Sequence, residues 1–551
     1  MIKRLFSGQI NSVALAALLV ALSSLTSRFL GIFRDRILAG GFGAGDTLDI
    51  YYAAFRVPDL IFNLLVLGAL SAGFIPILSG LIKDTKFAHF ISYQKSKNKE
   101  AWDLANNILN ILVLSLFLIS VVGIIFAPGL IALIAPGFSS EKQLLTVKLT
   151  RIMFLSPMFL GLSSVFGGIL QSFKRFFVYS LSPIVYNIGI IFGALYFVPM
   201  ENMFGGIDGL AWGVVLGAFL HMLVQLPLVY KLGFRHRFKI DFKNKNVKKI
   251  FKMMVPRTLS LGISQVNLLV ITIIASTLKS GSLSVFNFAN NLQSFPVSIF
   301  GISFAIAAFP TLSALAFDRK KLIQNFSDIF RQILFFIVPA TVLLLTLRAQ
   351  VIRVIFGVGE FGWEDTILTM NTLAYFSISL FAQASIPLLV RMYYARHNSR
   401  TPFFIGLVSA IVNIFFSLYF APKFGIAGLA LAFSVASIFN FVLLWIFLRI
   451  EIGDMDEIKI IYSSLKFSIA ALISGISIQG MKLLIVNYID MTTFLGVLSQ
   501  GLFSGLIGII IYLAIASLLK SEELFYFWGL LKRRLPWKKV EAGDQGEARG
   551  I

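Results

Sequence analysis

Apolar runs of about twenty residues recur from end to end of this chain, separated by short stretches rich in lysine, arginine, glycine and proline. A helix needs about 20 mainly apolar residues to cross a bilayer core. Division on that basis predicts fourteen spans, at about 9–39, 47–80, 102–127, 143–171, 177–199, 209–231, 253–278, 283–316, 323–347, 366–394, 401–420, 426–449, 458–486 and 494–519. Several exceed one bilayer thickness, so tilt or kinking is expected. The predicted fold class is therefore an all-α polytopic membrane protein with 14 transmembrane helices.

Composition agrees with the pattern. Residues are 57% hydrophobic and 13% charged, with mean hydropathy +0.86, whereas soluble domains carry about 25% charged residues. A net charge of +22 raises nucleic acid as a partner, but the distribution of that charge argues against it. Loops 40–46, 200–208 and 421–425 hold almost no lysine or arginine. Their alternates hold Lys83, Lys86, Lys95, Lys97 and Lys99, then Lys174 and Arg175, the cluster Lys231–Lys252, and then Arg319, Lys320, Lys321, Arg396 and Arg400. That alternation is the positive-inside pattern, and it puts both termini and the basic loops in the cytoplasm. Lys3 and Arg4 before an apolar run resemble a secretory signal, but Leu5–Ser27 is longer than a signal core and is read as the first helix.

The chain has no cysteine, and His89, His221, His236 and His397 form no HxxxH or HExxH pair. No catalytic residue, metal site or cofactor is expected.

An internal repeat organises the spans. Pro183 precedes an apolar helix and then FGGIDGLAWG at 204–213; Pro402 precedes an apolar helix and then FGIAGLALA at 424–432. The two prolines lie 219 residues apart, as do Gly209 and Gly428. IPILS at 75–79 has a looser counterpart in FPTLS at 309–313. The expected organisation is an N-lobe at 1–235 (helices 1–6), a basic cytoplasmic linker at 236–252, a C-lobe at 253–452 (helices 7–12), helices 13 and 14 at 453–520, and a basic interfacial segment with a disordered tail at 521–551. An ordinary cytoplasmic helix end is the other reading of 521–539.

Polar stripes interrupt the apolar faces. Ser24, Arg28, Gly31 and Asp35 recur at helical spacing in the first span, beside Ser23, Ser27 and Arg34. The second carries Asp49, Tyr52, Arg56 and Asn63 around Pro58; the seventh Arg257, Ser260, Ser264 and Asn267; the eighth Asn287, Asn291, Ser294 and Ser298. A charge at the bilayer centre costs about 2.5–3.5 kcal/mol on insertion scales, so such groups usually line a watery cleft or meet a substrate. Arginine forks suit phosphate, and a pyrophosphate head fits such a cleft. Asp35 and Asp49 would then hold the arginines in place without substrate. Plainer readings stand beside these. Arg28–Arg36 would be interfacial anchors if Leu5–Ser27 spans alone, the eighth-span stripe would be interhelical glue, and Arg257 would be a cytoplasmic anchor at a helix start. Arg36 is read as an interfacial anchor.

Together these residues resemble the MurJ (MviN) lipid II flippase family of the multidrug/oligosaccharidyl-lipid/polysaccharide exporter superfamily. The pattern is Ser27-Arg28, Leu30-Gly31, Arg34-Asp35, Gly43, Gly45, Asp49, Ala54-Phe55, Pro58, Gly68-Ala69, Phe74 and Pro76. It continues with Phe295-Pro296, Phe300-Gly301, Phe309-Pro310, Arg391, Tyr394-Ala395 and Thr401-Pro402. The resemblance covers about residues 1–520. It implies a transporter that moves undecaprenyl-pyrophosphate-linked peptidoglycan precursor across the bacterial cytoplasmic (inner) membrane. It also implies roles for Arg28, Arg34, Asp35 and Asp49, and a polyprenyl-tail groove along 458–519. Membrane lipids are the other expected partner, and a monomer is expected.

Departures from the family pattern are specific. Phe62 and Asn63 stand where the family has arginine in the second span, Leu67 stands at its acidic position, and Asn291 replaces an arginine in the eighth. This leaves Arg28, Arg34, Arg56, Arg257 and Arg391 to meet a pyrophosphate. Relatives that bind sodium place an acid one turn after an asparagine; here Asn413 is followed by Ser417, which argues against that site and leaves the membrane potential or an ion gradient as the energy source. Export of another polyprenyl-linked oligosaccharide or of a drug is the alternative transport reading. A membrane glycosyltransferase is a third, with only isolated acids such as Glu360, Glu364 and Asp365 to support it.

Overall fold

The computed structural model describes residues 13–67, 73–82, 98–200 and 204–534, and every regular element among them is helical. Lys83, Lys86, Lys95 and Lys97, the Lys3–Arg4 start, Gly68-Ala69 and the tail from 535 onward lie outside the described residues. In chain order the helices are α1 (Val13–Phe42), α2 (Asp46–Phe62), α3 (Ile75–Leu81), α4 (Lys99–Ile134), α5 (Ser140–Met153), α6 (Ser156–Ser172), α7 (Phe176–Phe192), α8 (Asp208–Leu223), α9 (Leu226–Lys231), α10 (Lys245–Ser276) and α11 (Ser282–Pro296). They continue with α12 (Ser303–Ala314), α13 (Arg319–Thr346), α14 (Arg348–Phe356), α15 (Trp363–Ser377), α16 (Leu380–Ala395), α17 (Arg400–Phe424), α18 (Ile426–Ile452), α19 (Glu457–Ile485), α20 (Phe494–Leu518) and α21 (Glu522–Arg534).

Among the described residues, eleven helices are long and apolar enough to cross a membrane, or twelve when α15 and α16 count as one broken span. The chain is thus an all-helical, multi-pass membrane protein. Outside that set are α1 and α2, the helices that carry the charged stripes. Several ends differ from the sequence reading. The α10 helix begins at Lys245 rather than near 253, because Asn244 caps it by accepting from the Asn246 and Val247 amides. The basic stretch is thereby divided between a short linker and the first turns of α10, and Arg257 lies well inside the helix rather than at its start.

The described residues pack as two compact units. One holds the chain up to Phe295 with Val351–Ser379 and Ser399–Leu443; the other holds Pro296–Gln350, Leu380–Asn398 and the chain from Leu444. In the first unit, Trp102 stacks on Phe173 with centroids 5.3 Å apart and meets Phe234 edge-on at 6.0 Å. There α7 and α8 meet through Gly189, Gly193, Gly213 and Gly217, where any added Cβ would strike the facing backbone. In the second unit, Phe335 packs against Phe467, Tyr512 and Phe527, and α19 joins α20 through the Ser474 hydroxyl, which donates to the Gly508 carbonyl at 2.7 Å. Outward, α19 exposes Ile458, Ile476 and Leu483, while α20 exposes Leu506 and Ile510, as lipid-facing helices do.

Proline positions shape the helices locally. Pro58 sits inside α2, where its ring pushes aside the carbonyl four residues back; that carbonyl, Ala54, accepts from the Thr150 hydroxyl at 3.4 Å instead. Wide π-type turns follow α2 at Asn63–Leu67 and α11 at Val297–Ile302. The 219-residue repeat is equally concrete. Gly206 and Gly425 both have positive φ, 60° and 59°, and the Gly209 and Gly428 amides donate back to their carbonyls at 3.1 and 3.0 Å. Both turns use the left-handed backbone that glycine takes without strain.

Candidate functional site

The α1 helix runs unbroken from Val13 to Phe42, so Arg34 and Asp35 lie within it and not at its end. Asp35 is 1% exposed. One of its oxygens accepts from Arg34 Nε (3.0 Å) and Nη2 (2.7 Å), while the other accepts from the Asn291 amide at 2.7 Å. The third side of the guanidinium fork donates to Asn187 Oδ1 at 3.2 Å. Asn187, on α7, donates in turn to the Ser27 hydroxyl at 3.2 Å and the Pro183 carbonyl at 3.0 Å. Buried charge is tolerated when paired and saturated with hydrogen bonds, and this seam achieves both. Asn291 is therefore a partner of the charged pair as well as a stripe residue.

Arg56 follows the same logic from α2. Its Nε donates to the Thr272 hydroxyl and its Nη2 to Asn287 Oδ1, each at 3.0 Å. Asn63, which departs from the family pattern, donates to Asp59 at 2.9 Å. In the eighth-span stripe, Asn287 and Asn291 bond to charged groups on other helices, while Ser294 bonds within its own helix to Asn290. Among the described residues, the buried hydroxyl of Tyr52 and the buried Oδ1 of Asn267 have no hydrogen-bond partner. These two atoms leave polar capacity on the second and seventh stripes.

Asp49 does not hold an arginine, contrary to the sequence expectation. Its carboxylate sits at the start of α11, accepting from the Gly281 amide (2.8 Å), the Ser284 amide (2.9 Å) and the Ser284 hydroxyl (2.7 Å). A helix N-terminus has unmet amides and partial positive charge, so a carboxylate from another helix caps it well. Lys142 Nζ stands 3.9 Å from Asp49 and 2.6 Å from Asp46. Gly281 has φ +84°, and a Cβ there would run into the Ala44 carbonyl, so the α1–α2 and α10–α11 turns interlock closely. Arg36 also departs from its expected role. It is no snorkelling anchor: its Nη1 donates to the Val354 carbonyl and, at 2.9 Å, to the Ile355 carbonyl, closing the last turn of α14.

The remaining predicted cations are placed more openly. Arg28 and Arg257 are exposed on α1 and α10. Arg391 belongs to the second unit, half-buried, with Nη1 donating to the Pro387 carbonyl of its own helix at 3.1 Å. Asn413 and Ser417, at the positions relevant to sodium, are buried and bonded to each other at 2.9 Å. Sequence reasoning missed Asn187, Lys142 and the Gly281–Ser284 turn. A lone asparagine in an otherwise apolar span was the available signal for Asn187.

Comparison with known proteins brings these observations together. A sequence model of the lipid II flippase MurJ family matches residues 38–499. The chain is 32% identical over 438 residues to a probable lipid II flippase MurJ of Buchnera aphidicola subsp. Baizongia pistaciae (strain Bp), covering 78% of this chain and 82% of that one. It is 30% identical over 444 residues to the lipid II flippase MurJ of Burkholderia cenocepacia, covering 79% and 83%. A solved structure of a lipid II flippase MurJ in an inward closed conformation aligns with TM-score 0.74 at 26% identity, over 93% of this chain and all of that one. An inward-facing multidrug-resistance transporter of the MATE family shares the fold, with TM-score 0.64 at 15% identity over 80% of this chain and 99% of that one. Spanning most of the sequence, these matches make the chain a member of the lipid II flippase MurJ family.

Proposed function

We infer that this protein is a transporter that flips lipid II, the polyprenyl-pyrophosphate-linked peptidoglycan precursor, across the bacterial inner membrane, and is not an enzyme. The observation that carries the reading is the Arg34–Asp35 pair, a guanidinium held by a buried carboxylate on α1 in a multi-pass membrane protein of this family. A diphosphate can draw on that fork once it competes with Asp35 and Asn187, since charge-assisted contacts to arginine gain strength away from water.

Fourteen helices form two six-helix lobes and a final pair, with both termini cytoplasmic, and the lobes alternate access to the two faces of the membrane. Arg28, Arg34, Arg56 and Arg257 meet the diphosphate, Asp35 and Asn291 position Arg34, Asp49 secures one closed state, and Arg391 is a further cationic contact for the lipid. The exposed apolar faces along 458–519 carry the polyprenyl tail. The protein works as a monomer without nucleic acid, metal or cofactor. Outward movement of the anionic head is assisted by an inside-negative potential, at about 2.3 kcal/mol per charge per 100 mV.

The test is complementation of a flippase-depleted bacterium, paired with outer-leaflet detection of lipid II. The unaltered chain restores growth and lipid II exposure. The double variant Arg28→Ala with Arg34→Ala, present in the membrane at equal amount, restores neither; full rescue by that variant would remove the assigned site.

A further inference from the structure

Away from the charged seam, the first unit carries a second built feature at the basic end of its helices. Asn106, Asn107 and Asn110 of α4 are all buried and hold the extended segment 235–241 that leads from α9 toward α10. Asn106 accepts from the Arg237 amide at 2.7 Å and donates to the Arg235 carbonyl at 3.1 Å. Asn110 donates to the Arg237 and Lys239 carbonyls at 2.8 and 3.1 Å. Asn107 exchanges both bonds with Asp241, at 2.8 and 2.9 Å. Three side-chain amides thus stand in for the partner strand that an extended backbone needs when it is covered. Because both amide protons of Asn110 serve carbonyls, its oxygen faces His236 Nε2 at 2.9 Å, and that nitrogen carries the proton.

The ladder fixes how the segment presents its side chains. Arg235 folds over the Tyr230 ring, and Lys239 pairs with Asp103 at 3.0 Å. Arg237 and Lys231 stay exposed, and Arg237 forms no ion pair among the described residues. Phe238 is 83% exposed, a costly position for a phenyl ring in water but an ordinary one at a bilayer surface. Beside it lies a groove of about 500 Å³, almost wholly apolar, walled by Leu114 and Phe117 of α4 and Met158 and Leu162 of α6, with Tyr230 and His236 at its basic end. Leu114 and Phe117 are themselves exposed, so the groove opens sideways to lipid. The 36 residues of α4 rise about 54 Å, well beyond a core of about 30 Å. The apolar run of this helix begins at Ile111, so a bilayer core placed on that run leaves Asn110 at its edge.

We propose that this groove binds an anionic phospholipid of the surrounding bilayer, with one acyl chain between α4 and α6 and the phosphate diester against Arg237 and Lys231. An apolar trough open to lipid and closed by cations selects an amphiphile with a negative head; a zwitterionic lipid brings a choline that the cations repel. The proposal rests on membrane embedding and does not draw on transport.

The test compares phosphatidylglycerol with phosphatidylcholine added to the full-length protein in detergent, read by thermal melting and by mass spectrometry of retained lipid. The unaltered protein retains phosphatidylglycerol and melts higher with it. Arg237→Glu weakens that binding by about fivefold or more, the scale of one basic residue at an anionic surface. Leu162→Trp, which fills the groove without changing charge, abolishes it, and Lys320→Glu, in the other unit, leaves it intact. Equal response to the two lipids, unchanged preference in both groove variants, or the same stabilisation by inorganic phosphate alone would each overturn the assignment.

Discussion

Asp35 is the residue on which the seam turns, because its two oxygens serve different helices: Arg34 on α1 and Asn291 on α11. Removing one partner of a buried ion pair costs about 3–5 kcal/mol, whereas losing one hydrogen bond to a charged group costs about 1.5–3 kcal/mol. Asp35→Ala is therefore expected to lower the melting temperature more than Asn187→Leu does. The double variant Arg34→Ala with Asp35→Ala should be milder than the sum of its singles, since it leaves no orphan charge; strict additivity in a double-mutant cycle would refute the coupling. The pair itself was legible in the sequence, where Arg34 and Asp35 fall in neighbouring polar rows amid apolar residues. The partners of Asp49 were not. Besides the Ser284 hydroxyl they are main-chain amides 232 and 235 positions away, and a backbone donor leaves no mark on residue identity.

At the scale of elements, α21 is the clearest case of a helix tied down by polar contacts. In the second unit Arg331 is buried and pairs with Glu523, with Asp328 at 2.6 Å and with Glu522 at 3.2 Å. Glu523→Gln should free α21 and speed its amide exchange, read by hydrogen–deuterium exchange with α13 as the internal reference. Unchanged protection would show that aromatic packing by Phe527 suffices. Glu522 adds a pH dependence. Its hydrogen bond and ion pair with Lys459, together with Arg331, hold its carboxyl below the ordinary glutamate value despite partial desolvation. A carboxyl lowered in the folded state contributes stability above its unfolded pKa of about 4.3 and loses it as pH falls through the lower folded value. Protection of α21, measured relative to the intrinsic exchange rate at each pH, should therefore fall on acidification below that range and change less in Glu522→Gln. Helix ends were less legible than helix existence: Asn244 shifts α10 outward by a side-chain cap, and the α17 helix runs to Phe424 through Pro422.

For the whole molecule, the alternating access proposed above predicts that the interlock of Asp49 with the start of α11 biases which face opens. The carboxylate accepts three hydrogen bonds there, and Asp49→Asn keeps the shape while removing the charge that makes them strong. The chain has no cysteine, so a single introduced thiol reports without background. With Ala53→Cys, at a fully buried position, labelling by a membrane-impermeant reagent should accelerate about tenfold or more when Asp49→Asn is added, in line with the loss of charge-assisted bonds. Equal labelling rates would mean that the interlock does not bias the opening. The two-fold repeat was legible at this scale because Gly206 and Gly425 are demanded by backbone conformation, which sequence records directly. Arg391 shows the opposite: its place in the family pattern says nothing of which compact unit it joins.

The wide turns at Asn63–Leu67 and Val297–Ile302 carry a consequence for how length can vary in this chain. A turn closed over five residues holds one more residue than the α-helix around it requires. Deleting a single residue there restores the ordinary helical ladder and leaves the face beyond it nearly where it was, because the surplus residue had been taken up within the wide turn. In a regular α-helical stretch the same deletion has no surplus to draw on and turns everything beyond it by about 100°. These wide turns, with a third at Gly193–Phe197, are thus places where the chain can shorten by one residue, stay helical and keep the face that the far half of the helix presents.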